Sequence, residues 1–223
     1  MLVTIDALFD LSHTLAATYL AALTYPWEAL SHLEAWIIQL GKALPLDDYE
    51  LRSPNVWIHK TAHISPTSAI GGPCIIGAET EVRHGAYVRK NALIGKGCVV
   101  GNSVEIKNAI LFDGVQIPHY NYVGDSILGY RAHMGAGAIA SNVKADRTSV
   151  VVHCDGVRHE TGLRKLGAML GDYAEVGCNS VLNPGTVIGT NSNIYPCSCV
   201  RGYVPENSIY KSQDRIITKR QEE

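Results

Sequence analysis

The segment from Val100 to Gly137 contains the side chains best suited to proton transfer beside an anionic substrate. A histidine, His119, lies in the run HYNYVGD, and a carboxylate, Glu105, precedes it by fourteen residues. Histidine can accept a proton near neutral pH because its unperturbed pKa is about 6.5. A carboxylate bonded to one ring nitrogen fixes the tautomer and leaves the other nitrogen free. These residue types are the ones that general-base chemistry uses, although an isolated histidine is more often structural.

Fixed positive charges near this segment suit the binding of a phosphate group. Arginine can hold phosphate through two parallel hydrogen bonds, whereas lysine acts as a point charge. Basic residues of these two types occur at Arg89 in AYVRK, Lys107 in VEIKN and Lys165 in LRKLG. Each is also compatible with a solvated surface position, so their roles depend on the fold that positions them.

Length and charge exclude several classes of function. The 223 residues allow one substantial folded unit, and the formal net charge of −2 gives no field that would gather nucleic acid or an anionic membrane. The start, MLVTIDALFD, has acids where a secretory signal has Lys or Arg. The stretch from Leu11 to Trp27 is too short and too polar to span a bilayer. We therefore expect a cytoplasmic protein without nucleic-acid or membrane partners.

The six cysteines lack the CxxC pairs typical of zinc sites. A disulfide framework is not expected in a cytoplasmic protein. Most of these cysteines are therefore interpreted as small apolar fillers, and no metal is expected.

Residues 4–41 have the periodicity of two helices. Pro26 suits the start of the second helix, and Gly41 suits its end. Apolar residues of the first helix recur at steps of three and four, at Leu8, Leu11, Leu15, Tyr19 and Leu23. We predict a helical hairpin and connector over residues 1–55, with 42–55 as the connector. The apolar side of the hairpin is expected to cap the open end of the next domain, and a partner-binding helix pair is the alternative.

From residue 58 the period changes to six. A helix needs apolar residues every three or four positions and a strand every two, so neither explains this spacing. A short fixed period is typical of a solenoid, in which each turn buries its aliphatic residue against its neighbours. We predict a mainly β fold, a parallel β-helix over 56–205 followed by a C-terminal tail at 206–223. The series comprises Ile58, Ile64, Ile70, Ile76, Val82, Val88, Ile94, Val100, Ile106 and Phe112.

The repeat slips through Val123, Leu128 and Met134, and it resumes from Leu170. The non-repeating stretch at about 143–165 is therefore predicted to be an insertion. Its run VVVHCDGVRHETG contains an Asp-Gly turn between two possible strands. We expect a protruding hairpin or loop, where binding groups tend to lie.

The repeats, with the pattern aliphatic-Gly-x-x-small-x, resemble those of the hexapeptide-repeat acyltransferases. A more specific similarity joins the chain to the acetyltransferase half of the bifunctional UDP-N-acetylglucosamine pyrophosphorylases/glucosamine-1-phosphate N-acetyltransferases, and to archaeal sugar-phosphate nucleotidylyltransferases. The matching elements are Gly101-Asn102, Val104-Glu105-x-Lys107, His119-x-x-Tyr122-x-Gly124-Asp125 and Gly135-Ala136-Gly137. The resemblance implies a left-handed β-helix that assembles as a homotrimer, with active sites between subunits.

The same resemblance implies transfer of an acetyl group from acetyl-CoA to an amino-sugar phosphate such as glucosamine 1-phosphate. It implies that His119 is the general base and that Glu105 orients it. The residues implied for the sugar phosphate are Arg89, Lys107, Tyr122 and Lys165. The residues implied for the acetyl and pantetheine end of acetyl-CoA are Ala136, Asn142 and Cys178.

Three other functions stay open. Nucleotidylyl transfer needs a large α/β domain with a Gly-rich loop and acidic Mg²⁺ ligands, whereas only short helices are predicted before the repeats. A zinc lyase needs three ligands, and His84 and His119 have a suitable separation, but position 124 is glycine. A catalytically silent scaffold or regulatory relative is the third alternative. It is favoured by departures from the family pattern at His133, Val143 and Cys178.

Overall fold

The computed structural model describes residues 2–219, most of which wind into a solenoid of stacked parallel coils. The predicted fold class, a left-handed parallel β-helix, is confirmed. Each coil has three sides of short strands, and each strand pairs in parallel with the equivalent strand of the next coil. This stacking buries the aliphatic residues of each coil between those of its neighbours.

Two longer strands turn the corner from the first side to the second, Glu105–Leu111 and Tyr122–Leu128. The other strands of the first side are Ala69–Ile70, Tyr87–Val88, Ile139–Ala140, Val181–Leu182 and Cys199–Val200. Those of the second side are Tyr49–Ser53, Val56–His59, Cys74–Ile76, Ala92–Ile94, Ala168–Leu170, Thr186–Ile188 and Tyr203–Val204. The third side contains His63–Ile64, Glu81–Val82, Val99–Asn102, Gln116–His119, His133–Met134, Glu175–Val176, Asn193–Ile194, Ser208–Ser212 and Arg215–Thr218.

The slip in the repeat comes from coils that are one residue shorter. Ile94 stacks on Leu111, and Leu111 stacks on Leu128, so each of these steps covers 17 residues. The six-residue series therefore breaks before Phe112, which was predicted to occupy a repeat position. Phe112 is instead fully buried against Phe9, with ring centroids 5.1 Å apart.

The predicted pair of N-terminal helices is replaced by five short segments. The reason is local, because the Asp10 carboxylate accepts the N–H of Ser12 at 2.9 Å, and such bonds compete with helix formation. The α-helices are Ile5–Leu8, Ala17–Ala21 and Leu33–Ala43, and the 3₁₀ helices are Leu11–His13 and Pro26–Ser31. The predicted start at Pro26 is confirmed, whereas the predicted end at Gly41 is wrong because the last helix runs to Ala43.

Residues 2–44, here called the strap, lie along the second side of the solenoid. At one end Gly41 packs against the Trp57 ring so closely that a Cβ there would collide with it. Towards the other end, the Asp172 carboxylate accepts the N–H of Asp10 at 2.6 Å. Because these contacts follow the length of the solenoid, the predicted role as an end cap is wrong.

The second side attracts the strap because its outward residues are apolar. Alternate residues of a strand point to opposite faces, so the middle residue of each strand on this side faces away from the interior. These residues are nonetheless buried, and they are Trp57, Ile75, Leu93, Ile110, Ile127, Met169 and Val187. The strap therefore adds a second apolar layer outside the solenoid.

Antiparallel strands close one side at each end of the solenoid. Tyr49–Ser53, within the predicted connector, pairs with Val56–His59. The predicted tail contributes Ser208–Ser212 and its antiparallel partner Arg215–Thr218, while its residues 220–223, like Met1, lie outside the described residues. Within residues 2–219, no helix has the length and apolar character needed to cross a membrane.

The insertion contains the expected hairpin, formed by Val151–Cys154 and Val157–Glu160. Its turn residues Asp155 and Gly156 both have positive φ, 47° and 75°, as a two-residue type I′ turn requires. The hairpin does not project freely, because His159 makes an edge contact with Tyr25 of the strap at 5.1 Å between ring centroids. Strap and insertion are therefore packed against each other.

Candidate active site

The predicted site residues of the solenoid share the first side, but they gather at its two corners. His119 lies at the corner between the third and first sides, and Asp125 lies at the corner between the first and second. The six residue steps from His119 to Asp125 span at most about 20 Å at roughly 3.3 Å per residue. We describe the two groups separately as the histidine corner and the aspartate corner.

The histidine corner is fixed by a buried asparagine. The His119 backbone N–H donates to Asn121 Oδ1 at 3.1 Å, and Asn121 Nδ2 donates to the carbonyls of Gly135 and Ala138 at 2.8 and 3.1 Å. The His119 side chain is exposed, and its imidazole forms no hydrogen bond within residues 2–219. The ring is thus placed by its backbone and is accessible to a ligand.

Ala136 and Cys178 continue this corner on the next two coils. The Gly137 N–H donates to the His119 carbonyl at 3.0 Å, and the Asn179 N–H donates to the Ala136 carbonyl at 2.8 Å. Ala136 is half-buried and Cys178 is exposed. The structure therefore brings His119, Ala136 and Cys178 into one column along the solenoid.

Glu105 is engaged by Arg89 rather than by His119. The Arg89 guanidinium donates to Glu105 Oε1 at 3.0 Å, and this hydrogen bond raises the pKa of Arg89. Both side chains are partly exposed, Arg89 by 44% and Glu105 by 36%. Among residues 2–219 no hydrogen bond joins Glu105 to His119, so the predicted orienting contact is not made within this chain.

The aspartate corner is a buried polar cluster. Lys107 Nζ lies 3.2 and 3.1 Å from the two carboxylate oxygens of Asp125. Asn108 Nδ2 and Asn142 Nδ2 also donate to this carboxylate, at 2.9 and 2.6 Å. The side chains of Lys107 and Asp125 are only 15% and 5% exposed. A phosphate at Lys107 would therefore have to compete with Asp125 for the ammonium group.

Asn142 belongs to this cluster and not to the column of Ala136 and Cys178 with which it was predicted to act. Its amide also donates to the Tyr122 hydroxyl at 3.1 Å. Burial, and secondarily the charge of Asp125, raise the pKa of Tyr122, so its phenol stays protonated and can donate to a ligand. Gly124 is required here, because a Cβ would meet both the Tyr122 hydroxyl and the Asn142 amide.

Lys165 lies beyond the aspartate corner, where the insertion returns to the solenoid through a bridge to Val143. It lines a cavity of about 510 Å³ together with Val143, Arg147 and Arg164. Within residues 2–219, none of these three cations forms an ion pair. The arrangement offers unpaired positive charge to an anion, and sequence reasoning identified only Lys165 of the three.

Sequence reasoning also missed the roles of Asn121 and Asp125. Both lie in the run HYNYVGD, but their partners come from neighbouring coils and become apparent only when the coils are stacked. The part of the chain from 2 to 219 contains no group of three His, Cys, Asp or Glu side chains arranged to hold a metal ion.

Comparison with known proteins supports the resemblance identified from the sequence. The profile of the GMPPB C-terminal domain family matches residues 70–165, a span that includes both corners of the first side. "Bifunctional protein GlmU" from Methanococcus maripaludis is 38% identical over 116 residues, covering 52% of this chain and 28% of that protein. A "bifunctional sugar-1-phosphate nucleotidylyltransferase/acetyltransferase" from Sulfurisphaera tokodaii is 36% identical over 106 residues, covering 48% and 26%. The matched region is thus between a quarter and a third of each relative's length.

Solved structures give weaker similarities. The acetyltransferase domain of PglB from Neisseria gonorrhoeae, in complex with acetyl coenzyme A, has a TM-score of 0.33 and 15% identity, over 74% of this chain and 57% of that one. A mutant of AntD, an N-acyltransferase from Bacillus cereus in complex with dTDP and coenzyme A, has a TM-score of 0.40 and 18% identity, over 75% and 82%. Both values are too low to assign an activity.

Proposed function

We propose that this protein is an acetyl-CoA-dependent N-acetyltransferase that acts on an amino-sugar phosphate such as glucosamine 1-phosphate. The observation that carries the proposal is the histidine corner, where the exposed His119 is followed by Ala136 and Cys178 on successive coils. The similarity to GlmU-type proteins supports it, and the family match to residues 70–165 includes His119 and Ala136.

In the proposed reaction the sugar amine attacks the thioester carbonyl of acetyl-CoA. A C–N bond forms as the amine loses a proton to His119, and the C–S bond breaks to release CoA as its thiol after return of that proton. His119 is suited to this step because its ring is accessible and has no hydrogen bond within the described residues. Ala136 and Cys178 lie beside the acetyl and pantetheine end of the donor.

The phosphate of the acceptor is assigned to the cation cluster on the insertion of the adjacent subunit. The amine and phosphate of glucosamine 1-phosphate are on neighbouring carbons, whereas His119 and this cluster lie at opposite corners of the first side within one chain. Lys165, Arg147 and Arg164 present unpaired charge at one cavity, and arginine binds phosphate through paired hydrogen bonds. Lys107 and Asn142 then act as positioning residues, because both are bound to Asp125. Arg89 and Tyr122 remain candidates for contact with the sugar.

We also propose that the protein assembles as a homotrimer with each site between two subunits. A single solenoid side offers only a shallow surface, whereas two subunits and the insertion can enclose a pantetheine arm. A second subunit would also supply groups that a single chain does not bring to His119. Light scattering at micromolar concentration is expected to give three times the chain mass of 24.1 kDa.

The deciding experiment measures thiol release from acetyl-CoA with glucosamine 1-phosphate, galactosamine 1-phosphate and free amino sugars. His119→Ala is expected to lower turnover by about a hundredfold or more, because a positioned general base typically accelerates a reaction by about 10² to 10⁴. The affinity for acetyl-CoA should change little. His84→Ala is the matched control, because His84 is an exposed histidine on the same corner, bonded to Thr67 Oγ1 at 2.7 Å. Near-normal turnover in a folded His119→Ala protein would exclude His119 as the base.

A catalytically silent scaffold is the second candidate, and one observation favours it. Glu105 and Lys107 were implied in catalysis and in substrate binding. Within the chain, however, Glu105 pairs with Arg89 and Lys107 pairs with Asp125. A protein that has lost the activity could retain such pairs for stability alone. Silence with every acceptor of the panel, in a protein shown to be folded and trimeric, would favour the scaffold over the enzyme.

A further inference from the structure

A second basic cavity lies between the insertion hairpin and the corner of the solenoid, apart from the histidine corner. It has a volume of about 370 Å³. Its basic side chains are Lys144 before the hairpin, His153 and Arg158 on its two strands, and Arg201 on the solenoid. Among the described residues that line it, none carries a carboxylate. We call this cavity the hairpin cleft.

The charges of the hairpin cleft converge from separate elements. His153 and Arg158 are directly opposite each other in the hairpin register, an arrangement that is unfavourable when both side chains are charged. Arg201 reaches the cleft from the solenoid and, within residues 2–219, has no ion-pair partner. An anion between hairpin and solenoid would be attracted by both Arg158 and Arg201.

Two of the three fixed cations, Lys144 and Arg158, have acidic neighbours that only partly neutralise the cleft. Lys144 lies 3.4 Å from Asp146 and donates to Thr148 Oγ1 at 2.6 Å. Arg158 donates to Glu160 Oε1 at 3.0 Å, and both of these side chains are about two-thirds exposed, where an ion pair stabilises little. Arginine retains further donors after one such bond, so it can still bind a second anion.

Glycines allow the hairpin to approach the solenoid closely at this point. Gly185 and Gly202 line the cleft with φ values of +79° and +73°. A Cβ on Gly185 would lie 2.7 Å from Val150 Cγ1, and the nearest contact of a Cβ on Gly202 would be the His153 carbonyl. The cleft is therefore a defined gap between two packed elements, with cations on both walls.

We propose that the hairpin cleft is a binding site for a phosphate-bearing anion, distinct from the proposed acetyl-transfer site. A phosphate carries up to two negative charges and accepts hydrogen bonds in several directions, which suits cations that converge from two walls. A single carboxylate would leave more of the positive charge uncompensated. Two sources share this chemistry, free phosphate or pyrophosphate and the phosphate groups of a nucleotide-containing ligand such as CoA or a nucleotide sugar.

The test is isothermal titration of the full chain at constant ionic strength with inorganic pyrophosphate and phosphate. Arg201→Ala is expected to weaken pyrophosphate binding by tenfold or more, and Arg201→Lys should restore part of it because the charge returns without the planar fork. Arg164→Ala tests the neighbouring basic cavity, to which the acceptor phosphate was assigned, so it separates anion binding there from binding in the cleft. Arg215→Ala is the control, because it removes an exposed arginine on the third side that has no ion-pair partner within residues 2–219.

Arg201 is exposed, so Arg201→Ala should melt at the wild-type temperature without ligand, and His153→Gln provides a second variant from the opposite wall. Titration with ADP and a nucleotide sugar separates the sources, since binding of either that is tighter than that of pyrophosphate and is weakened by Arg201→Ala assigns the nucleotide. Absence of pyrophosphate binding at millimolar concentration would overturn the proposal. So would a loss caused by Arg164→Ala but not by Arg201→Ala. Acetyl transfer is not part of this readout, so the outcome is independent of the proposed enzyme activity.

Discussion

The buried pair of Lys107 and Asp125 allows a sharp test of what the aspartate corner does. Replacing Asp125 with Asn keeps the shape of the side chain but removes the charge that compensates Lys107. The Lys107 ammonium, only 15% exposed, would lose both of its contacts to a carboxylate. The new amide has only one oxygen acceptor, whereas Asn108 and Asn142 both donate to the Asp125 carboxylate. Its NH₂ group would therefore face at least one of these donors and break a hydrogen bond.

The expected loss follows from the burial of the pair. Removing one partner of a buried ion pair costs about 3 to 5 kcal/mol, because the other charge is left uncompensated. For a chain of this size each kcal/mol lowers the melting temperature by about 2 to 4 °C, so even a loss of about 3 kcal/mol lowers it by roughly 6 to 12 °C. The double variant Lys107→Met/Asp125→Asn buries no charge and should recover much of the loss.

The assay is thermal unfolding followed by circular dichroism, with each variant first checked for the assembly state of the wild type. Glu105→Gln is the matched control, because it breaks the exposed pair with Arg89 on the same side of the solenoid. That change should cost no more than about 1 kcal/mol. Two results would show that the buried pair does not stabilise the aspartate corner. One is a melting temperature of Asp125→Asn equal to that of Glu105→Gln, and the other is a double variant less stable than Asp125→Asn.

Two further predictions concern the strap and the cysteines. Deletion of residues 2–43 should expose the apolar outward row of the second side and cause aggregation by light scattering, whereas a soluble truncated protein with unchanged melting would contradict the packing described. Burial raises the pKa of the Cys74 and Cys98 thiols to about 12, so neither should react with a thiol reagent at neutral pH. Mass spectrometry of the native protein should find label first on the exposed cysteines, Cys178, Cys197 and Cys199, and rapid labelling of Cys74 would contradict this.

The repeat was predictable because its signal is periodic. Each coil places one large aliphatic residue at the same inward position. A series such as Ile58, Ile76 and Ile94 therefore recurs at a fixed spacing in the sequence. The shortened coils were only partly predictable. Phe112 continues the spacing by type and position, and only the pairing of Ile94 with Leu111 shows that it has left the repeat.

The position of the strap was indicated by the outward-facing residues of the coils, which a search for inward residues at six-residue spacing leaves out. The outward residues of the third side are mostly polar, as at Glu81, Gln116 and Glu175, whereas those of the second side are all apolar. A residue type that recurs every 17 or 18 positions identifies one side of the coil. Ile75, Leu93 and Ile110 therefore indicated which side required a cover, but only once the coil length was known.

The candidate site was predictable by residue type and not by pairing. The resemblance grouped Ala136, Asn142 and Cys178 for acetyl-CoA. Stacking places Ala136 and Cys178 in one column with His119, whereas Asn142 lies at the aspartate corner. The partners of Glu105 and Lys107 come from adjacent coils, 16 and 18 residues away, and ordinary sequence spacing does not distinguish them from other charged residues. The insertion was the least predictable part, because Arg147 and Arg164 meet only where its two stems return to the solenoid.

The antiparallel strands at the two ends restrict how copies of this protein can meet. A solenoid of identical coils is in principle open to growth, since its last coil offers the same backbone edge that each coil offers to the next. Here Tyr49–Ser53 occupies that edge on the second side, and Arg215–Thr218 occupies it on the third side at the other end. Each of these two strands is now the outermost strand of its sheet, and it runs antiparallel to the coil beneath it. Within residues 2–219 the other end strands have only two residues, as at Ala69–Ile70 and Cys199–Val200, which is too short to template a neighbour. On these two sides a second copy cannot continue the parallel stacking of coils, because the strand that it would meet runs in the opposite direction.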